Sequence, residues 1–325
     1  MGHAPALQAL AEDYTVVALA DADPATLEET GVLLGLPPER RYADYRELLL
    51  RESPDVVDVS VPHARHHEVA WATLRAGAHL VTERPLALSL RDAEELLRFA
   101  EARSRLVTVA HYYLYYPPIA EALRLVRAGA IGTPFFVRLE GVTGGFGAGT
   151  ESYHPAWHAD PEMAGGGVWL DSGYHHAYLA VALMGSPVIG IAARTATYAG
   201  DMPVEDTATA LCMHENQGVS SLQTAWSVPA GGTRVVEVHG SAGSLQLDHE
   251  GYPLGVFDNA ARTWRHPEID FPHAGSFYGL FVALAACLRF GAPPPISHRD
   301  ALHTLDIITS GYRASENESV EGVAE

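Results

Sequence analysis

The sequence predicts an α/β chain in two parts: a doubly wound parallel sheet, then an α+β domain with a large, mostly antiparallel open sheet. Three observations predict it. Residues 14–111 alternate short, near-continuous apolar runs with helical segments, the pattern of strands buried on both faces. The connections are short, as such units require. Beyond residue 113 the runs lengthen, polar residues interleave with apolar ones, and turns rich in Gly and Asn separate them, which suits strands with one covered face. The boundary falls there, giving domains 1–112 and 113–325.

The elements follow in order. Residues 5–11 read as a short helix and 14–20 as a strand ending at Asp21. Helices are predicted over 24–34, 44–52, 66–76 and 89–102, the last with Ser89 as N-cap. Strands are predicted over 56–61, 79–83 and 106–111. In the second part, 119–127 is helical and strands follow at 135–142, 188–199, 207–214, 219–226, 233–239 and 244–249. A helix opening at Asp171 runs to Met184 and stops at Gly185. Closing helices span 277–290 and 299–314, and the tail from Ser315 is expected to fray.

Composition narrows the function classes. The 325 residues can form two ordinary cores. No apolar run reaches the roughly 18 residues a membrane helix needs, and the first residues lack a signal-peptide pattern, so a cytoplasmic chain is expected. The net charge of −19 repels phosphate backbones and argues against nucleic acid as partner. The two cysteines, Cys212 and Cys287, fit neither a disulfide framework nor a Cys-based zinc site. There are 17 histidines, which raises the prospect of metal or acid–base chemistry without locating it.

Four places carry chemistry. Asp21, at a strand end, is either a turn residue or an acceptor for the two ribose hydroxyls of an adenosine. Glu83-Arg84-Pro85 closes a strand at the carboxyl edge of the sheet, where α/β proteins bind ligands; a plain surface ion pair is the alternative. Gly165-Gly166-Gly167 allows close backbone approach to a ligand or another chain. Asp171 and His175, four apart, share a helical face: a carboxylate orienting an imidazole as general base, or a cap beside a packed ring. His154 and His158 have i, i+4 spacing and His63, His66 and His67 cluster, but no His-Glu-x-x-His motif occurs and no bound metal is expected.

Together these segments resemble the Gfo/Idh/MocA oxidoreductases. Val61-Pro62-His63-Ala64-Arg65-His66 is similar to the family's Pro-x-x-x-His, and residues 76–85 to its run ending Glu-Lys-Pro, with Arg84 in place of the lysine. The stretches 127–132, 165–175, 204–207 and 240–243 add to the likeness, which spans essentially the whole chain. The resemblance implies a Rossmann-type first domain, an NAD cofactor (NADP less so) and hydride transfer at a hydroxyl-bearing carbon of a sugar or polyol. It implies Asp171 and His175 as catalytic pair and Arg84 as a charge that cannot act as base. Asp21 would take the adenosine ribose. Pro62, His66, Glu83 and Arg84 would face the nicotinamide side. Trp157, His158 and His176 would meet substrate. A homodimer or homotetramer through the second sheet is expected. The family's first strand and Gly-x-Gly-x-x-Gly loop, about 10–15 residues, have no counterpart here. A misplaced start and a relative that has given up dinucleotide binding are the two readings of this departure. In the second, the protein is a sugar-binding partner, or a lyase or epimerase.

Overall fold

The computed structural model describes residues 2–144, 156–198, 202–228, 232–271 and 275–324. The chain forms two compact units. The first holds residues 1–61, 65–116 and 272–301, and the second 62–64, 117–271 and 302–325.

The first unit begins with α1 (His3–Ala9), β1 (Leu19–Ala20), α2 (Pro24–Leu33), β2 (Arg41–Tyr42) and α3 (Tyr45–Glu52). It continues through β3 (Val56–Val59), α4 (His63–Arg75), β4 (His79–Thr82), α5 (Leu90–Glu101) and β5 (Val107–Val109). Side chains set several helix starts: Asp23, Asp44 and Ser89 accept backbone N–H groups of the first turns of α2, α3 and α5. All strand pairs are parallel, in two separate ladders, β1–β2 and β3–β4–β5. A doubly wound sheet of order 3-2-1-4-5-6 has a further strand between these two. No strand among the described residues pairs with the facing edges of β1 and β3. This explains why the apolar run 14–20 pairs only through Leu19 and Ala20: a ladder needs a neighbour, and β2 supplies two residues.

The second unit contains α6 (Pro117–Arg127), β6 (Pro134–Val142), α7 (Pro161–Ala164) and α8 (Val168–Met184). Then come β7 (Val188–Ala196), β8 (Thr207–His214), β9 (Val219–Ala225), β10 (Thr233–Gly240), β11 (Gly243–His249), β12 (Tyr252–Asp258) and β13 (Thr263–Arg265). The chain closes with α9 (Ser276–Phe290), α10 (His298–Asn317) and β14 (Val320–Gly322). Nine strands make one sheet in the order β13-β12-β11-β10-β6-β9-β8-β7-β14. Only β6 and β9 run parallel. The helix α8 packs across β6, β9 and β8, burying Trp169, Tyr174 and Leu183. No helix among the described residues is long and apolar enough to cross a membrane.

Three features depart from expectation. The division falls at 116/117, and α9 belongs to the first unit because Phe281 and Leu284 pack with Ala6 of α1, Leu10 just after it and Val81 of β4. The tail is partly ordered: β14 pairs with β7, and Val323 is buried. The helix expected to open at Asp171 begins at Val168, which puts Asp171 in its first turn. The cause is Glu205, just ahead of β8. Its carbonyl accepts the Val168 N–H at 2.9 Å, and its carboxylate accepts the Trp169 N–H at 3.2 Å and the Tyr312 hydroxyl at 2.6 Å. A carboxylate at this end also complements the helix dipole. Gly167 is required there, because a Cβ would run into the Glu205 main chain. We expect Glu205→Ala to lose about 2 kcal/mol of stability in urea denaturation, from the lost charged hydrogen bonds and the orphaned Tyr312 hydroxyl.

Candidate functional site

Chemistry-bearing side chains gather in each unit. In the first, the strand ends of β3 and β4 present Asp58 and Glu83. The imidazole of His3, on α1, lies between them: Nδ1 is 2.7 Å from Asp58 Oδ2 and Nε2 is 2.9 Å from Glu83 Oε1. Phe277 lies against the same ring at 4.2 Å between centroids. Burial opposes a charge on His3, but the carboxylates, Asp58 foremost, outweigh it and raise its pKa to about 10. Burial likewise works against the Glu83 carboxylate, yet His3 and Arg84 bring it down to about 2. His3 is thus an imidazolium clamped by two carboxylates. The sequence reading passed over it, because its partners lie 55 and 80 positions away.

Arg84 is largely buried, its Nε 3.9 Å from Glu83 Oε2, and the Arg84–Pro85 peptide is cis. His66 is buried with Nδ1 2.5 Å from the Pro85 carbonyl and Nε2 2.8 Å from that of Val61. Burial lowers its pKa against the pull of those carbonyls. Its ring ties two strand-end loops together. Asp21 follows β1. Its Oδ1 accepts the Asp23 N–H at 2.8 Å.

In the second unit, α8 carries the expected pair one turn apart. His175 is buried, and its Nδ1 lies 2.8 Å from the Tyr178 hydroxyl. Tyr178 is the residue that sequence reasoning missed. Its signal was present, since i, i+3 places it on the same helical face. Ser172 accepts a hydrogen bond from Trp226 Nε1 at 3.2 Å, tying this turn of α8 to the residue after β9. His176 points instead at β6: a Cβ at Gly141 would sit 3.0 Å from its Nε2. Burial drives its pKa down to about 4 against the attraction of Glu140. His176 therefore packs against β6 as a neutral ring.

Trp157 and His158 stack at 3.7 Å, and His63 stands edge-on to Trp157 at 4.8 Å. His63 Nδ1 is 2.8 Å from the Ala164 carbonyl. So His63 joins the two aromatic residues singled out in the sequence, while His154 lies outside the described residues. The glycine run serves packing within the chain: a Cβ at Gly166 would meet the Tyr312 ring, and one at Gly167 the Glu205 backbone.

Two models of one family match this chain. "Oxidoreductase family, NAD-binding Rossmann fold" matches residues 2–111, and "GFO/IDH/MocA C-terminal domain" matches residues 119–246. The chain belongs to the Gfo/Idh/MocA family. A D-apiose dehydrogenase of Paraburkholderia graminis is 29% identical over 94% of this chain and 82% of its own length. An oxidoreductase domain protein from Kribbella flavida shares the fold with a TM-score of 0.86 at 23% identity, over 99% of this chain and 96% of that one. A levoglucosan dehydrogenase, solved with NADH and levoglucosan, also gives 0.86, at 21% identity over 99% and 95% of the two chains.

The family description implies a nicotinamide dinucleotide. Asp21 fits one end of it, because its Oδ2 accepts no hydrogen bond from the described residues and remains an acceptor for a ribose hydroxyl. Glu83 and Arg84 lie at the carboxyl edge of β4.

The His3 clamp makes stability pH-dependent in a defined direction. A histidine whose folded pKa is raised stabilises fully below its unfolded value near 6.5 and loses that contribution as pH climbs towards about 10. We expect the stability gap between wild type and His3→Asn to shrink steadily from pH 6.5 to 10 in denaturation curves. A gap independent of pH would show that no imidazolium is held there.

Proposed function

We propose that this chain is a nicotinamide-dinucleotide-dependent dehydrogenase of a sugar or polyol, with NAD preferred over NADP. The observation that carries the reading is the buried His175 ring, fixed through Nδ1 by Tyr178 on a helix whose first turn holds Asp171. We assign proton exchange to Nε2, across the ring from the Tyr178 contact at Nδ1. As the substrate hydroxyl gives its proton to Nε2, the O–H electron pair closes a carbonyl and the hydrogen on that carbon departs with the C–H electron pair. When bound, the nicotinamide ring supplies the acceptor for that hydride. The Asp171 carboxylate stabilises the imidazolium that forms. Arg84 steadies the charge developing on the oxygen and stays protonated throughout, because a guanidinium is not a base at these pH values.

The remaining residues take binding and positioning roles in this reading. Asp21 accepts the adenosine ribose hydroxyls and repels a 2′-phosphate. Pro62 and Glu83 flank the nicotinamide side, and His66 holds the loops at Val61 and Pro85. Trp157 and His158, braced by His63, offer an aromatic surface and a polar edge to a hydroxylated substrate. The dehydrogenase activity named for the relatives supports this assignment. Self-association through the outward face of the nine-stranded sheet belongs to the same proposal; that face carries Phe136 stacked on His239.

Assays of NAD reduction with a panel of aldoses and polyols test it. His175→Ala should lower kcat by roughly 10²- to 10⁴-fold. Tyr178→Phe should lower it less and move the acid limb of the kcat pH profile to lower pH, because Nδ1 loses its partner. A folded wild type inert towards every sugar with both dinucleotides, or an unimpaired His175→Ala, would overturn the assignment. Asp21→Ser should reduce the preference for NAD over NADP at least about tenfold, since a like-charge repulsion is removed.

A further inference from the structure

The turn that closes β11 onto β12 and the residue that follows β13 bring together three groups that the proposed dehydrogenase chemistry does not use. His249 ends β11, Glu250 follows it, and His266 comes just after β13. His249 Nδ1 and His266 Nε2 face one another at 3.0 Å. A carboxylate oxygen of Glu250 completes a set in which all three ligand atoms lie within 4.8 Å of one another.

We propose that His249, Glu250 and His266 bind one divalent cation of the zinc class. Two imidazole nitrogens and one carboxylate oxygen are a donor set that zinc takes, with water as the fourth ligand. For a tetrahedral ion with bonds of about 2.0–2.1 Å, two nitrogen ligands stand about 3.3 Å apart, so a few tenths of an ångström of opening admits the ion. The rings are already held in place. Trp264 stacks on His249 at 3.8 Å between centroids, and Tyr252 on His266 at 4.0 Å. Such support fixes ligand orientation before the ion arrives. The net charge of −19 favours cations over the whole surface. The ion would pin β13, an edge strand of only three residues, to the β11–β12 turn. It is a structural clip, apart from the groups on α8.

The experiment uses untagged full-length protein stripped with chelator. Zinc is titrated calorimetrically, and cobalt is added as a spectroscopic stand-in. Wild type should bind one zinc that is lost at least about 100-fold in affinity in His266→Asn and in His249→Asn, because even outer-shell changes cost 10–100-fold. Cobalt should give the intense visible bands of a four-coordinate ion in wild type alone. Zinc should raise the unfolding temperature of wild type and leave both variants unmoved, while the variants keep wild-type dehydrogenase activity. Wild type and variants binding zinc equally would place the ion at other histidines, and no binding at micromolar zinc would leave the two rings as a hydrogen-bonded pair. Either result overturns the proposal.

Discussion

The anchoring of the α8 N-terminus by Glu205 governs much of what the second unit can do. Four backbone N–H groups at a helix start have no partner inside the helix. Here a main-chain carbonyl and a side-chain carboxylate from one residue meet the first two. That contact needs a backbone approach only glycine at 167 permits. The hydroxyl of Tyr312 completes it from α10, while Trp169 reaches back to the Ile308 carbonyl at 3.0 Å. A helix held so firmly at its first turn fixes where Asp171, His175 and Tyr178 stand. The His175 imidazole is thus positioned by contacts made a full turn or more away along the helix.

The sequence disclosed the architecture well and the polar connections poorly. Alternation of apolar runs with helices located β3, β4 and β5 to within two residues at each end, because burial on both faces leaves a local trace. Periodicity also found β6 to β11. It missed β12 and β13, whose segments mix glycine, proline and aromatics without clear alternation. It over-extended the run before Asp21, since strand character is local but a ladder requires a neighbour. The motif Val204-Glu-Asp-Thr207 was visible as a resemblance, yet its role as the cap of a helix more than thirty residues earlier has no local signature. His3 and the pair His249–His266 were equally hidden, because only the folded chain brings their partners near.

The histidines show how one residue type divides its labour. His176 is neutral and packed, His66 staples two loops, His3 carries a charge between carboxylates, and His175 keeps one nitrogen engaged by a phenol. Environment, not count, separates these roles: burial without an anion suppresses protonation, and flanking carboxylates enforce it.

The parallel pairing of β6 with β9 carries a consequence for how the second unit assembles. Every other neighbour in the nine-stranded sheet is antiparallel, and several of these pairs zip up from short turns. The β6–β9 seam joins Phe136 to Val219 and Val142 to Ala225, across the intervening helices α7 and α8 and the strands β7 and β8. The β6–β10 pairing is longer-range still, since Val142 meets Thr233 and Pro134 meets Gly240, so both partners of β6 carry a high loop-closure entropy. The meanders β7-β8-β9 and β10-β11-β12-β13 close from short turns, whereas β6 between them must meet two partners distant in sequence.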